Sequence, residues 1–313
     1  MDEIEPPQRR TCVASRLARI QSITLERRRF RCIEHVADQQ GSGQQGDRVS
    51  TRAGLIATFF SVSVCLSGCG GSGGDLSGKG NNGGGSSTPN ASPGGIWKGT
   101  ETVSGEQVFG VVDELGDFWF ERADGVLYAG TATTSGTSLS ANFNGYVLNG
   151  NTFPDGSSYG TGTLSGTIEA RTSISAKTQF TTANSNSSTG QLSLTFDTLY
   201  NGASSLATIS GNFTISTDGT AVTIGSNGTL FSQDSKTGCV LNGTVYIINA
   251  SYNAYKVVFD LASCTGASFG LNGVQFTGVA TLDTSVSPQV VYLWVTGASG
   301  SAKYALAYTL TRS

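Results

Sequence analysis

"YALAYTLT" runs from Tyr304 to Thr311, and its spelling alternates. Tyr304, Leu306, Tyr308 and Leu310 share one side of an extended chain, with Ala and Thr on the other, because successive strand side chains point to opposite faces. Strict period-2 spacing of this kind predicts a half-buried antiparallel strand. The same pattern recurs upstream. Tyr255, Val257, Phe259 and Leu261 alternate with Lys256, Val258 and Asp260, and "QLSLTF" at 191–196 alternates again.

Between such runs lie short turn signals: "LGD" 115–117, "DG" 124–125, "NG" 149–150, "DG" 155–156, "DG" 218–219, "NG" 227–228 and "NG" 242–243. These pairs supply the positive φ that tight hairpins need. Sequential hairpins predict an all-β fold, an antiparallel meander closed or rolled to protect its edges. The closure gives one large or two smaller barrel or sandwich units. One segment departs from the pattern. "DTLYNGASSLATI" at 197–209 spaces Leu199, Ala203, Leu206 and Ile209 helically. It predicts one short helix near 198–207 that plugs a barrel end or joins two halves. "ELGDFWFERADGVLYAGTAT" (114–133) and "SNGTLFSQDSKTGCVLNGTV" (226–245) echo each other in turn, aromatic strand, polar turn and strand. The echo suggests two β units, 96–205 and 206–313.

Charge and histidine content narrow the function. Residues 96–313 carry eight Lys/Arg against fourteen Asp/Glu, a net charge of −6. That balance, without a basic stripe, argues against nucleic acid as a partner, since such binding neutralises phosphates. The one histidine of the chain is His35, ahead of the β region. A β domain without histidine runs no Ser-His-Asp or Cys-His mechanism and builds no histidine-ligated zinc or haem site. No cofactor is implied, and no catalytic or metal-ligating set stands out.

The N-terminal third is organised differently. Residues 1–47 are polar and arginine-rich, with "ERRRFRC" at 26–32. They read as a disordered extension or as sequence upstream of the true start, at a codon such as that for Val36 or Val49. Residues 48–68 read as a signal peptide: Arg48 and Arg52, then the apolar run Ala53–Leu66. About 20 residues are needed to span a bilayer as a helix, so this run is short for an anchor and suits an h-region. It ends in Leu66-Ser67-Gly68-Cys69. Those four residues resemble the bacterial lipobox at every position. The resemblance implies cleavage after Gly68, diacylation of Cys69 and a mature chain held to membrane through those acyl chains, since two or more chains anchor stably. Cys65 fits less well because bulky Val64 precedes it. Gly70, rather than Asp, follows the lipid cysteine, and the resemblance then implies the outer membrane of a bacterial envelope. Residues 69–95 form a Gly/Ser-rich tether that cannot bury enough apolar surface to order itself. Its root-mean-square span is about 28 Å.

Within 96–313 the only cysteines are Cys239 and Cys264. An exported location favours a disulfide between them, bridging neighbouring strands. Trp97 in "GIWKGT" resembles the Gly-x-Trp of lipocalin-like barrels, where the Trp closes the barrel base. Transferrin-binding-type surface lipoproteins are similar in organisation, a barrel on a lipidated tether.

The densest polar-aromatic patch is "DELGDFWFERADG", 113–125. Its carboxylates Asp113, Glu114, Asp117, Glu121 and Asp124 suit calcium or, as a pair, acid–base work on a glycoside. A hairpin reading instead puts Phe118 and Phe120 inward and leaves Trp119 and Glu121 outward in solvent. "YIINASYNAY" at 246–255 mixes Tyr246, Tyr252 and Tyr255 with Asn249 and Asn253, an aromatic platform beside amides. Trp119, Glu121, Asp124, Tyr246, Tyr252 and Tyr255 are therefore the candidates for contact with a small-molecule, glycan or protein ligand. Three function classes follow. A binding module predicts an apolar cavity or an exposed aromatic patch. A glycan-processing enzyme predicts two carboxylates about 5–10 Å apart in a groove. A structural envelope, matrix or adhesin-like protein predicts strand edges free to pair between chains.

Overall fold

The computed structural model describes residues 89–148 and 150–313. The lipobox, the signal segment and residues 69–88 of the expected tether lie outside them. What is described is a tandem of two closed, antiparallel, eight-stranded barrels. The first comprises β1 (Gly95–Glu101), β2 (Gln107–Val112), β3 (Asp117–Arg122), β4 (Val126–Ser135), β5 (Ser138–Val147), β6 (Tyr159–Glu169), β7 (Ser173–Thr182) and β8 (Ser187–Asp197). The second comprises β9 (Gly211–Ile215), β10 (Ala221–Ile224), β11 (Thr229–Gln233), β12 (Val240–Ile247), β13 (Tyr255–Ala262), β14 (Gln275–Asp283), β15 (Val290–Ser299) and β16 (Ala302–Arg312). Each is a simple meander. Closure comes from pairing the first strand with the last: Trp97 of β1 lies opposite Phe196 of β8, and Thr214 of β9 opposite Thr311 of β16.

The two-unit alternative therefore holds, and the internal echo falls on equivalent places. Residues 114–133 contain β3 and the start of β4, while 226–245 contain β11 and most of β12, the third and fourth strands of each barrel. The expected helix is two separate turns, a 3-10 turn at Thr198–Asn201 and α1 at Leu206–Ile209. Each is capped by its own preceding residue. Asp197 accepts from the Leu199 N–H, and Ser205 accepts from the Thr208 N–H. Such caps satisfy backbone donors that a short turn leaves free. Both halves of the expected role are met. The segment links the barrels, and Ile209 inserts fully buried into the core of the second.

One turn signal misleads. Asn242-Gly243 sits in the middle of β12. A Cβ on Gly243 would lie 2.4 Å from the Cβ of Phe259, so this glycine marks close packing between strands and no reversal.

Side-chain alternation fills both interiors. In barrel 1 the inward set includes Trp97, Phe118, Phe120, Tyr128, Phe143 and Phe180. Phe143 and Phe180 stack with centroids 6.1 Å apart. They fit because β6 presents glycine to them at two inner positions: a Cβ on Gly162 would lie 2.3 Å from the Phe143 ring, and one on Gly160 2.5 Å from the Phe180 ring. Trp97 is fully buried and donates its Nε1–H to the Pro93 carbonyl at 3.1 Å. Residues 89–94, expected to belong to the unordered tether, instead pack at that end too, the Ala91 N–H bonding Gly136 O at 2.9 Å, and Gly95 already belongs to β1. In barrel 2, Tyr304, Leu306, Tyr308 and Leu310 face the core as their spacing requires. Eight strands make an interior just wide enough for side chains to fill. A cavity inside barrel 1, between Val112, Phe118 and Leu164, measures about 10 Å³, too small to hold more than one water.

A third apolar cluster lies between the barrels. Ile96, Val111 and Leu127 point outward from β1, β2 and β4, and meet Val279 and Trp294 from β14 and β15. Ala305 and Ala307, the small outer residues of β16, also pack there. The outer wall over β5–β8 is mostly Ser, Thr, Asn and Gln, whereas Phe231 of β11 and Tyr246 of β12 are exposed on barrel 2.

The Cys239 and Cys264 sulfurs are 2.10 Å apart, at disulfide distance. They lie just beyond the last pair of β12 and β13, Val240 opposite Ala262, so the bridge joins neighbouring strands as expected.

Candidate functional site

The residues singled out from sequence do not converge. Trp119 and Glu121 point out of barrel 1, as the hairpin reading requires, but not into solvent. Trp119 packs in the seam between the barrels, and the Trp294 Nε1–H donates to Glu121 Oε2 at 2.7 Å. The solvated-face expectation is thus corrected: the second barrel covers this face. Burial pushes the Glu121 carboxyl above the usual range, against the opposing bond from Trp294. Asp124 is exposed and paired with Arg122, whose guanidinium also reaches the Tyr128 hydroxyl at 3.0 Å. Tyr255 is fully buried in barrel 2, where the Ser205 N–H donates to its hydroxyl at 3.2 Å. Tyr252 is held between the Tyr200 ring, 5.0 Å away, and the Arg171 guanidinium, 4.6 Å from its centroid. Tyr246 alone of the aromatic candidates is open, half-exposed on the outer wall of β12.

The remaining acids of 113–125 are engaged in local structure. Asp113 accepts the Leu115 and Asp117 N–H groups at 2.8 and 2.9 Å, Glu114 accepts the Tyr200 hydroxyl at 2.7 Å, and Asp117 accepts the Thr131 hydroxyl at 2.7 Å. Among the described residues, no three His, Cys, Asp or Glu side chains stand close enough to share a metal ion.

Glu121 gives a pH prediction. Its folded pKa is raised, so between the unfolded value and the folded one the native state binds the proton more tightly. Stability from this group is present at low pH and declines as pH rises through that window. Glu121→Gln keeps an acceptor for Trp294 and removes the charge. The variant is expected to be more stable than the parent at neutral pH, with the difference vanishing in acid. Thermal melts across the pH range check this; an equal gap at every pH refutes it.

A concave feature of the described surface lies elsewhere, on the outer wall of barrel 1. It is a trough of about 440 Å³ lined by Asn142 and Asn144 of β5, Thr161 and Thr163 of β6, and Gln179 and Thr181 of β7. Register builds it. Asn142, Thr163 and Gln179 stand side by side across three strands, and Asn144, Thr161 and Thr181 form the next row. Amides flank a floor of short threonines. At its head the Tyr146 and Tyr159 rings meet edge to face, centroids 5.4 Å apart. The Tyr159 hydroxyl donates to Asn144 Oδ1 at 2.6 Å. Burial beside Tyr159 pushes the Tyr146 hydroxyl up to about 12, so it stays protonated at neutral pH. No carboxylate lines the trough.

No protein-family model and no curated protein matches this chain. None of the trough residues was singled out from sequence. Their signal is present, in "ANFNG", "TGTLSGT" and "KTQFTT", where every outward position is Asn, Thr, Gln, Ser or Lys. Each run alone reads as an ordinary solvated strand face. The trough exists only once three strands are set in register.

Proposed function

We propose that the chain is a lipid-anchored bacterial envelope lipoprotein, attached through Cys69 at the outer membrane, whose paired barrels are a rigid binding module that works through its outer wall. The attachment rests on Leu66-Ser67-Gly68-Cys69 and the apolar run before it. The binding role rests on one contrast: packed interiors beside an open polar trough on the wall of β5–β7. A lipocalin-like mode would need a ligand-sized interior, usually several hundred Å³, and side chains occupy that space here. Closure of both meanders also removes the free strand edges through which a matrix protein would pair between chains.

Two experiments test this reading. A palmitate analogue fed to cells should label the parent protein, and the label should be lost in Cys69→Ala; persisting label refutes the anchor. A photoreactive side chain placed at Ser165, beside the trough on β6, should capture an envelope component. The same group at Ser193 on β8 should not. Equal capture at both positions, or capture at neither, refutes a binding role for this wall.

A further inference from the structure

We propose that the trough over β6 takes a single strand of neutral polysaccharide. This rests on the binding-module reading and names the ligand class of its site.

Shape comes first. Neighbouring strands lie about 4.8 Å apart, so the amide-bearing walls on β5 and β7 stand about 9.6 Å apart across the threonine floor. That width admits one sugar chain lying along β6. The volume of about 440 Å³ is enough for a few rings.

Chemistry then selects among ligands. The six outward side chains are neutral, and Phe143 and Gly162, which complete the lining from beneath, carry no charge either. The first charge, Lys177, comes one row beyond, beside Ser165 and Ser140. Each amide offers one acceptor oxygen and two N–H donors, and each hydroxyl offers both functions. A ligand built of hydroxyl groups presents the same mixed pattern, whereas an ionic ligand would meet no counter-charge. Asn144 is preset for this role. Its oxygen is taken by the Tyr159 hydroxyl, which leaves the Nδ2 hydrogens for an incoming acceptor. Tyr159 is only half-buried, so part of its ring stands at the head of the trough as a stacking surface. Asn142, Thr161, Thr163 and Gln179 are exposed along the rest of it.

A peptide fits less well. Extended peptides add to a free strand edge or drop apolar anchors into pockets. Here β5, β6 and β7 are each paired on both sides, and every exposed side chain of the lining is Asn, Thr or Gln, with Phe143 buried beneath them.

The test uses the full chain carrying Cys69→Ala, which is free of the acyl anchor. It is titrated calorimetrically with neutral glucan, mannan and galactan hexasaccharides, with a galacturonic acid hexamer, and with a Ser/Thr-rich peptide. At least one neutral hexasaccharide should bind, at least tenfold tighter than the acidic hexamer or the peptide. Gln179→Ala should weaken it roughly tenfold, the loss of one or two hydrogen bonds. Thr163→Trp, which fills the floor from an exposed position, should abolish binding. Ser175→Ala, two rows away on β7, should change nothing, and a thermal melt of each variant verifies its fold. Tighter binding of the acidic hexamer or the peptide overturns the proposal, as does neutral binding indifferent to Gln179→Ala and Thr163→Trp. If no neutral hexasaccharide binds while crosslinking from Ser165 persists, the ligand class is overturned and the binding module stands.

Discussion

Trp294→Ala is expected to uncouple the two barrels in a calorimetric melt and to lower the first transition by about 10 °C or more. Trp294 belongs to neither interior. It is 1% exposed in the seam, edge to face with Phe109 at 5.4 Å and stacked on Tyr292 at 6.1 Å. Deleting a buried Trp side chain costs about 3–5 kcal/mol in lost transfer energy and cavity. A second penalty comes from Glu121, which loses the indole N–H while staying buried between two walls. An orphaned buried acceptor costs about 1–3 kcal/mol more. At about 2–4 °C per kcal/mol for a unit of this size, the shift is large. The paired variant Trp294→Ala/Glu121→Gln should recover part of it, because the charge is then gone. A single transition within two degrees of the parent's would show that the seam contributes little coupling.

The second large effect belongs to barrel 2 alone. Cys239→Ser/Cys264→Ser is expected to cost about 3.5 kcal/mol by chain entropy. The bridge spans 25 residues of sequence that include β12 and β13. For a unit of roughly 100 residues this corresponds to a fall of about 15 °C. In the Trp294→Ala background, where the barrels melt separately, the fall belongs to barrel 2, and barrel 1, with its own closure through β1 and β8, should melt at an unchanged temperature. Reductant acting on the parent protein should reproduce the double variant. An unchanged melt on both treatments would mean that the pair contributes nothing to stability.

How legible this molecule is in its sequence varies by element, for physical reasons. β16 announces itself because one face is core and the other small or polar, so Tyr304, Leu306, Tyr308 and Leu310 alternate cleanly. β15 does not. "VVYLWV" is apolar on both faces because one side fills barrel 2 and the other faces barrel 1. A strand buried twice loses the period-2 signal and reads as an ambiguous apolar run. The same holds for Val126–Ala129 of β4, buried throughout. Those runs were the trace of the seam, and with them unread, Trp119 and Glu121 had the right orientation but the wrong surroundings. Closure was open between one unit and two, because it depends on pairs about 100 residues apart, such as Trp97 with Phe196. The trough hid for a related reason. It is a property of a row across strands, while sequence is read along them.

First-to-last closure also dictates an order of events. Neither barrel can seal until its final strand is free, so for barrel 1 the chain must be available as far as Asp197. A chain released from its N-terminus onward can seal β1 against β8 before β9 has emerged. The seam then forms last, by docking of finished walls. Two neighbours with equal strand number and order invite a particular error, in which a strand closes the wrong cylinder. The capped turns at Thr198–Asn201 and Leu206–Ile209 stand at the boundary where such an exchange would begin. They act as punctuation, ending one count of eight before the next starts.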